Sequence, residues 1–345
     1  MPEPADVALD ATYSIGNALS GVGAYSREIL FGLAAAHPDA TFRFCYRPNR
    51  FIRSWREKLP PHCRRSLLQE PILPRRADLF HGLNQRLPTE RLRRTVTTFH
   101  DLFVLSGDYS TPQFRRRFAD HARRAAAESD LIIAVSQFTA NQVEQLLGVE
   151  PSRLRVIHHG VRIPPPRSAP REKIVLHVGA IQKRKNVSRL VQAFESAPSD
   201  WRLILAGSAG FGADEILARI AASPARPRIS VLGYVTADAL ADWYSRAMAL
   251  AFPSLDEGFG IPILEAMAAG VPVITSNRSA LPEVAGGAAI LINPESTDEL
   301  AAAISQLATD EQLREGLKRK GLARVQQCCW EKVVSQTWDV YRELV

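Results

Sequence analysis

Short apolar runs recur along this chain, each followed by a longer stretch with helical spacing, and a proline-rich segment divides the runs into two sets. The first set is Val7–Leu9, Phe42–Tyr46, Leu79–His81, Thr95–Phe99, Leu131–Val135 and Arg155–Ile157. The second is Ile174–Val178, Arg202–Ala206, Ile229–Leu232, Ala249–Phe252, Val273–Thr275 and Ala289–Ile292. Strand patterns separated by helical ones predict βαβ units and parallel sheets. The second set is apolar throughout, which suits strands covered by helices on both faces. Between the sets, residues 164–170 hold four prolines in seven positions. Proline has no N–H and a fixed φ, so the stretch excludes helix and sheet interior. It reads as an interdomain linker, with a surface loop inside one domain as the alternative. At 345 residues the chain is too long for one core. The expected class is therefore α/β, with domains at 1–163 and 173–328, a linker at 164–172 and a final helix within 329–345. In that helix Val333, Val334, Trp338, Val340 and Tyr341 are the candidate packing residues.

No run approaches the roughly 20 apolar residues of a spanning helix, and the N-terminus, Met1–Asp6, is acidic with no apolar signal segment. Cys45, Cys63, Cys328 and Cys329 show no metal-ligand spacing and read as free thiols in a reducing cytosol. The expected location is cytoplasmic. Charge is one-sided: residues 1–165 carry 23 Lys+Arg against 16 Asp+Glu, while residues 166–345 carry 20 against 20. A basic half suggests an anionic partner, namely a phosphorylated acceptor, a membrane surface or nucleic acid. No nucleic-acid module is recognisable, and no nucleic-acid partner is expected. Arg50–Lys58 combines basic residues with Phe51, Ile52 and Trp55, and 113–125 predicts an amphipathic helix with Phe114, Phe118, Ala122 and Ala125 on one stripe. Both fit a peripheral contact with the inner membrane face. Both also fit ordinary helices packed on a sheet with their arginines in water, which is the stronger reading for each.

Phe252–Glu265, reading F-P-S-L-D-E-G-F-G-I-P-I-L-E, is the most informative local pattern. It predicts a strand, an acidic glycine loop, a helix starting near Pro262 and a stop at Gly270. A glycine loop before a helix leaves backbone N–H groups that bind phosphate. Glu265, expected in the first helical turn, would repel a phosphate but can accept from sugar hydroxyls. Glu257 in the loop can reach a hydroxylated ring. Donors for a diphosphate beside acceptors for hydroxyls suit a nucleotide sugar. Arg184 and Lys185 follow the strand Ile174–Val178 and its Gly179 turn, so they sit at a strand C-terminal end, where α/β sheets bind ligands. They are the candidate diphosphate cations, with helix N-termini after Gly23 and Gly260 adding donors. Gly23 is expected to keep backbone clear for a ligand. His100 ends the strand Thr95–Phe99 and is the acceptor-side candidate; His81 ends another, with structural and functional readings both open. His158 and His159 lack carboxylate or Cys partners at ligand spacing and read as structural. With no D-x-D pattern, neither a metal nor another cofactor is expected.

These motifs together resemble the retaining GT-B glycosyltransferases of family 4, the "glycosyl transferases group 1". The segment Glu257–Glu265 looks like the family's E-x7-E motif. Ser20–Tyr25 is similar to its N-terminal glycine loop, Phe99–Leu102 to its H-D segment and Ile133–Thr139 to its V-S-x-F turn. Val156–Val161, His177–Gly179 with Arg184–Asn186, Leu205–Gly207 and Leu232–Val235 follow in the family's order, covering nearly the whole chain. One departure is Ala180, where several members have Arg directly after V-G; the job would fall to Arg184. The resemblance implies two Rossmann-like domains facing a cleft, the first binding acceptor and the second the nucleotide sugar, with the last helix crossing back to the first. It implies that Glu265 accepts from ribose and that Glu257 lies against the transferred sugar. Backbone N–H groups of Gly258, Phe259, Gly260 and Ile261 would meet sugar and phosphate. The base would lie against Gly233–Val235, and His100 near the reacting carbon. The implied function is transfer of a hexosyl group, mannosyl or rhamnosyl by overall feel, from a nucleotide diphosphate sugar to a hydroxyl acceptor, lipid-linked or phosphorylated, in glycan or glycolipid synthesis. The alternatives are a sugar-nucleotide-binding protein without turnover, or a GT-B epimerase or phosphorylase.

Overall fold

In a computed structural model the chain forms two compact units. The structure describes residues 5–16, 19–164 and 170–345, so the first residues of the acidic N-terminus and most of the proline-rich segment lie outside the described residues. The first unit contains residues 1–107, 111–160 and 330–345, and the second contains 108–110 and 161–329.

The first unit is built on a seven-stranded parallel sheet of β1 (Asp6–Asp10), β2 (Thr41–Tyr46), β3 (Cys63–Leu67), β4 (Leu79–Gly82), β5 (Thr95–Phe99), β6 (Leu131–Ala134) and β7 (Leu154–Val156). The order is β3-β2-β1-β4-β5-β6-β7. Strand order reverses between β1 and β4, which leaves a crevice at their carboxyl ends. Val7, Leu9, Phe42, Phe44 and Leu79 are buried under the helix Gly21–Ala36. That helix begins at Gly21, with the Ser20 hydroxyl accepting from the Gly23 N–H, so Gly23 lies in the first turn rather than before it. A Cβ on Gly23 would stand 2.7 Å from the Tyr13 carbonyl oxygen. The glycine is therefore required by an approach of the chain to itself.

The last helix, Trp330–Arg342, belongs to this unit and buries Val333, Val334, Val340 and Tyr341. Gly32 admits it: a Cβ there would meet Val334 Cγ2 at 2.5 Å. Trp338 is only partly buried and stacks on His37 at 3.9 Å. The 113–125 expectation is corrected in detail. The helix Pro112–Glu128 buries Ala119, Ala122, Ala125 and Ala126, while Phe114 stays exposed beneath Arg117. Small alanines bring its second half down onto Phe99 and Leu102, and the first turn stands away.

The second unit carries a six-stranded parallel sheet of β8 (Glu172–Val178), β9 (Arg202–Ala206), β10 (Ile229–Gly233), β11 (Ala247–Phe252), β12 (Val273–Ser276) and β13 (Ile290–Ile292). Its order is β10-β9-β8-β11-β12-β13, with the reversal between β8 and β11. β8, β9 and β11 are apolar and buried along most of their length and β12 is buried throughout, as the sequence leads one to expect of covered strands, whereas the edge strand β10 leaves Ser230 and Val231 exposed.

Candidate functional site

Sheet order brings together residues far apart in sequence. β8 and β11 are neighbours, although β9 and β10 lie between them in the chain. The loop after β8 and the loop after β11 therefore flank the reversal point of the second sheet. The first carries Gly179, Arg184 and Lys185; the second carries Glu257 and the glycines before the helix Ile261–Ala268.

Glu257 is buried between both cations. Its Oε1 accepts from Lys185 Nζ at 2.5 Å and its Oε2 pairs with Arg184 Nη1 at 2.7 Å. Burial pushes the Glu257 pKa up, but Arg184 and Lys185 outweigh it and hold the carboxyl at about 2. The sequence-predicted diphosphate cations are thus arranged around the sequence-predicted sugar acid, two positive charges to one negative. The loops are tied by their backbones as well. Arg184 Nη1 donates to the Asp256 carbonyl, and the Leu255 N–H donates to the Arg184 carbonyl at 2.8 Å. The Glu257 N–H donates to Ser279 Oγ at 3.2 Å.

Three residues that the sequence reading quoted only as motif letters turn out to support the site. Asn186 takes a left-handed conformation (φ 59°) and donates through Nδ2 to the carbonyls of Pro253 and Pro294. Only Asn, Asp or Gly adopts that backbone cheaply, and the adjacent K-N pair was the available signal. Phe252 lies under Lys185, with Nζ 4.6 Å from the ring centroid. His177 donates from Nδ1 to the Ala251 carbonyl at 3.0 Å, and burial lowers its pKa to about 4, so it remains neutral beside the cations. Gly179 (φ +146°) leaves room for the Lys185 side chain, whose Cε would lie 3.2 Å from a Cβ there. Gly207, after β9, has no room for a Cβ at all, because the Gly179 carbonyl oxygen would be 1.9 Å away.

Glu265 has a different environment. The helix starts at Ile261, with Gly260 as its left-handed cap (φ +111°), so Glu265 falls in the second turn and not the first. Half-buried, it accepts from the Tyr244 hydroxyl at 2.8 Å. Burial raises its pKa, with the Tyr244 hydrogen bond pulling the other way. The two acids of the motif are therefore pushed in opposite directions. Gly258, Phe259, Gly260 and Ile261 form the turn between them, and Val235 follows β10 in the exposed loop that Gly233 opens with φ +69°.

His100 and Gly23 belong to the first unit. His100 Nε2 donates to the Leu83 carbonyl at 2.9 Å, which leaves Nδ1 as its acceptor atom. Burial lowers its pKa to about 4, opposed by the Leu83 carbonyl, so it is neutral near pH 7. It packs edge-on to Tyr25 at 4.7 Å and stacks on His159 at 5.5 Å. His81 is resolved as structural. Both ring nitrogens are engaged, Nδ1 with the Tyr341 hydroxyl at 2.6 Å and Nε2 with Thr98 Oγ1 at 2.9 Å. It fastens the last helix to β4. Among the described residues no group of three or more His, Cys, Asp or Glu could hold a metal ion, and no helix is long and apolar enough to cross a membrane.

Comparison with known proteins adds sequence and fold relatives. The family model Glycosyl transferases group 1 matches residues 163–324, and Glycosyltransferase Family 4 matches residues 23–163. The O-antigen chain mannosyltransferase B of Escherichia coli is 30% identical over 382 residues, covering 97% of this chain and 99% of the relative. A sucrose-phosphate synthase structure from Thermosynechococcus elongatus has a TM-score of 0.81 at 23% identity over 99% of both chains. Anabaena HepE in complex with UDP-glucose has a TM-score of 0.76 at 20% identity, over 98% of this chain and 99% of that one.

Proposed function

Because the chain belongs to the group 1, family 4 glycosyltransferases, it is a transferase of glycosyl groups in glycan synthesis, and from that premise we propose that it moves a mannosyl group from a nucleoside diphosphate mannose to a hydroxyl acceptor with retention. The observation that carries this reading is the buried Arg184–Glu257–Lys185 cluster at the reversal point of the second sheet. The mannosyl choice follows the E. coli relative's name, and a nucleotide donor is supported by the UDP-glucose bound to HepE.

In this reading Lys185 and Arg184 meet the diphosphate, whose charge grows as the sugar leaves. Glu257 holds the two cations in position and turns its free lone pairs to the sugar. Fixed positive charge at a developing anion commonly contributes about 10²–10³ in rate per group. At the start of the helix Ile261–Ala268, Pro262 has no N–H and the Ile263 N–H donates to the Gly260 carbonyl at 3.0 Å, so the Ile261 N–H is the one that suits a phosphate or sugar oxygen. Glu265 accepts from the ribose hydroxyls, and Val235 contacts the base. Neutral His100 presents an acceptor atom for a sugar hydroxyl, not a base. The anomeric carbon loses its bond to the phosphate oxygen and gains one to the acceptor oxygen on the same face. The acceptor proton passes to the leaving phosphate, so no metal and no protein nucleophile are required.

A thermal-shift panel of GDP-, UDP-, ADP- and dTDP-sugars identifies the donor, since specific binding stabilises as the logarithm of concentration over Kd. NMR of the product's anomeric configuration tests retention. An inverted product, or no donor shifting the melt, overturns the reading. Donor binding without hydrolysis or transfer would favour a binding protein without turnover.

We also propose that the helix Pro48–Ser54 touches an anionic lipid surface. Ile52 is 81% and Trp55 66% exposed among Arg50, Arg53, Arg56 and Lys58. Flotation with phosphatidylglycerol vesicles at low salt should fail for Ile52→Ser/Trp55→Ser; equal flotation of wild type and variant removes the idea.

A further inference from the structure

Away from the cluster just described, a cavity of about 400 Å³ opens in the first unit, lined by Thr12, Tyr13, Arg47, Asn49, Arg50 and Arg86 among others. Its position follows from sheet order. Thr12 and Tyr13 follow β1, Arg47 and Arg50 follow β2, and Arg86 follows β4, three adjacent parallel strands. The lining residues therefore gather at carboxyl strand ends beside the β1/β4 reversal, where open α/β sheets take ligands. The volume lies within the roughly 300–1,000 Å³ of small-molecule sites.

The chemistry of the lining is one-sided. Among the described residues one of the three guanidiniums, Arg47, meets a carboxylate: Asp10 Oδ2 stands 3.6 Å from its Nη2, and neither Arg50 nor Arg86 forms an ion pair. Asp10 is buried and is also occupied by Thr12, which donates to Oδ1 from its N–H at 3.0 Å and from its hydroxyl. Arg47 Nη2 donates instead to the Arg86 carbonyl at 3.3 Å. Arg47 Nε is buried with no hydrogen-bond partner. Arg86 Nη1 donates to the Tyr13 hydroxyl at 3.2 Å, and Arg50 Nη1 reaches the Ile15 carbonyl at 3.5 Å. The positive field extends beyond the cavity. On the helix Pro112–Glu128, His121 is held below its usual pKa by burial and then by Arg86, Arg117 and Arg47, against Asp120. Half-buried surplus guanidiniums are costly unless an anion completes them. Their planar forks match the oxygens of phosphate.

We infer that this cavity binds a phosphate or diphosphate group carried by the acceptor. The inference rests on the proposed function to the extent that the donor's own diphosphate is assigned to Arg184 and Lys185 in the other unit. Two sources share the chemistry, a soluble phosphorylated sugar and the phosphate head of a lipid carrier.

The experiment is calorimetric titration of the full chain with inorganic pyrophosphate in an Arg184→Ala/Lys185→Ala background, which removes both competing cations. Binding should persist there, weaken steeply with added salt, fall at least about tenfold in Arg86→Gln or Arg50→Gln, and recover in part in Arg86→Lys. Each variant's melt checks folding, and Arg50→Gln carries the test should Arg86→Gln fail to fold. A parallel arm floats Arg86→Gln with phosphatidylglycerol vesicles. Reduced flotation points to a lipid-borne phosphate; unchanged flotation with weakened pyrophosphate binding points to a soluble one. Pyrophosphate affinity unmoved in both glutamine variants overturns the inference. Because the titration needs neither donor nor transfer, failure of the glycosyl-transfer reading would show separately, as absent donor binding.

Discussion

Replacing Glu257 with Gln keeps the shape of the side chain and removes the one negative charge between Arg184 and Lys185. The cost can be reached by two routes. The carboxyl is displaced from 4.5 to about 2, and at about 1.4 kcal/mol per pKa unit the surrounding charges favour the ionised form by about 3 kcal/mol. Breaking a buried ion pair on one side costs about 3–5 kcal/mol, because the remaining charge stays buried without compensation. The two routes agree, and for a unit of this size each kcal/mol lowers the transition by roughly 2–4 °C. The second unit should therefore melt roughly 6–12 °C lower in Glu257→Gln at pH 7, read by calorimetry. The folded pKa lies below the unfolded one, so this stabilisation is complete above pH 4.5 and fades as pH falls towards 2. Wild type and variant should converge across that window. In the double variant Glu257→Gln/Lys185→Met the losses should fall short of additive by about 1 kcal/mol or more. A Glu257→Gln melt within about 2 °C of wild type at pH 7, with parallel acid profiles, would refute the electrostatic account.

Lys185→Ala should lower kcat by about 10²–10³, measured by transfer at saturating donor, because it removes a cation facing the departing diphosphate. Glu265→Gln should weaken the nucleoside diphosphate about tenfold and leave a 2′,3′-dideoxy analogue unaffected, by calorimetric titration, if the carboxylate reads the ribose. Equal losses for both nucleotides would place its role in packing with Tyr244. Tyr341→Phe should destabilise the first unit by about 1–3 kcal/mol in urea unfolding, because it strips the partner from buried His81.

What the sequence revealed and what it hid divide along a physical line. Strands covered on both faces must be apolar along their length, so β8, β9 and β11 announced themselves. β3 did not. Cys63–Leu67 reads C-R-R-S-L, and it is a strand because it lies at the edge of the sheet, paired residue for residue with Phe42–Tyr46. An edge strand tolerates arginines, and its partner lies some twenty residues away, so nothing local marked it. The first turn of 113–125 failed for a related reason, since a periodic stripe tells which face can pack and not how far along the helix its neighbours extend. The site divides the same way. Glycine loops, the proline at a helix start and paired acids were readable because each is a local backbone requirement. The contact between Glu257 and the cations was not, since 72 residues separate Lys185 from Glu257 and only the adjacency of β8 and β11 closes that gap. The consequence is chemical. Two acids eight positions apart looked like a matched pair, yet one is held ionised by buried cations and the other is pushed towards protonation beside a tyrosine. Their spacing along the chain sets where each stands on the loop and helix; their function is set by which strand of the sheet lies next door.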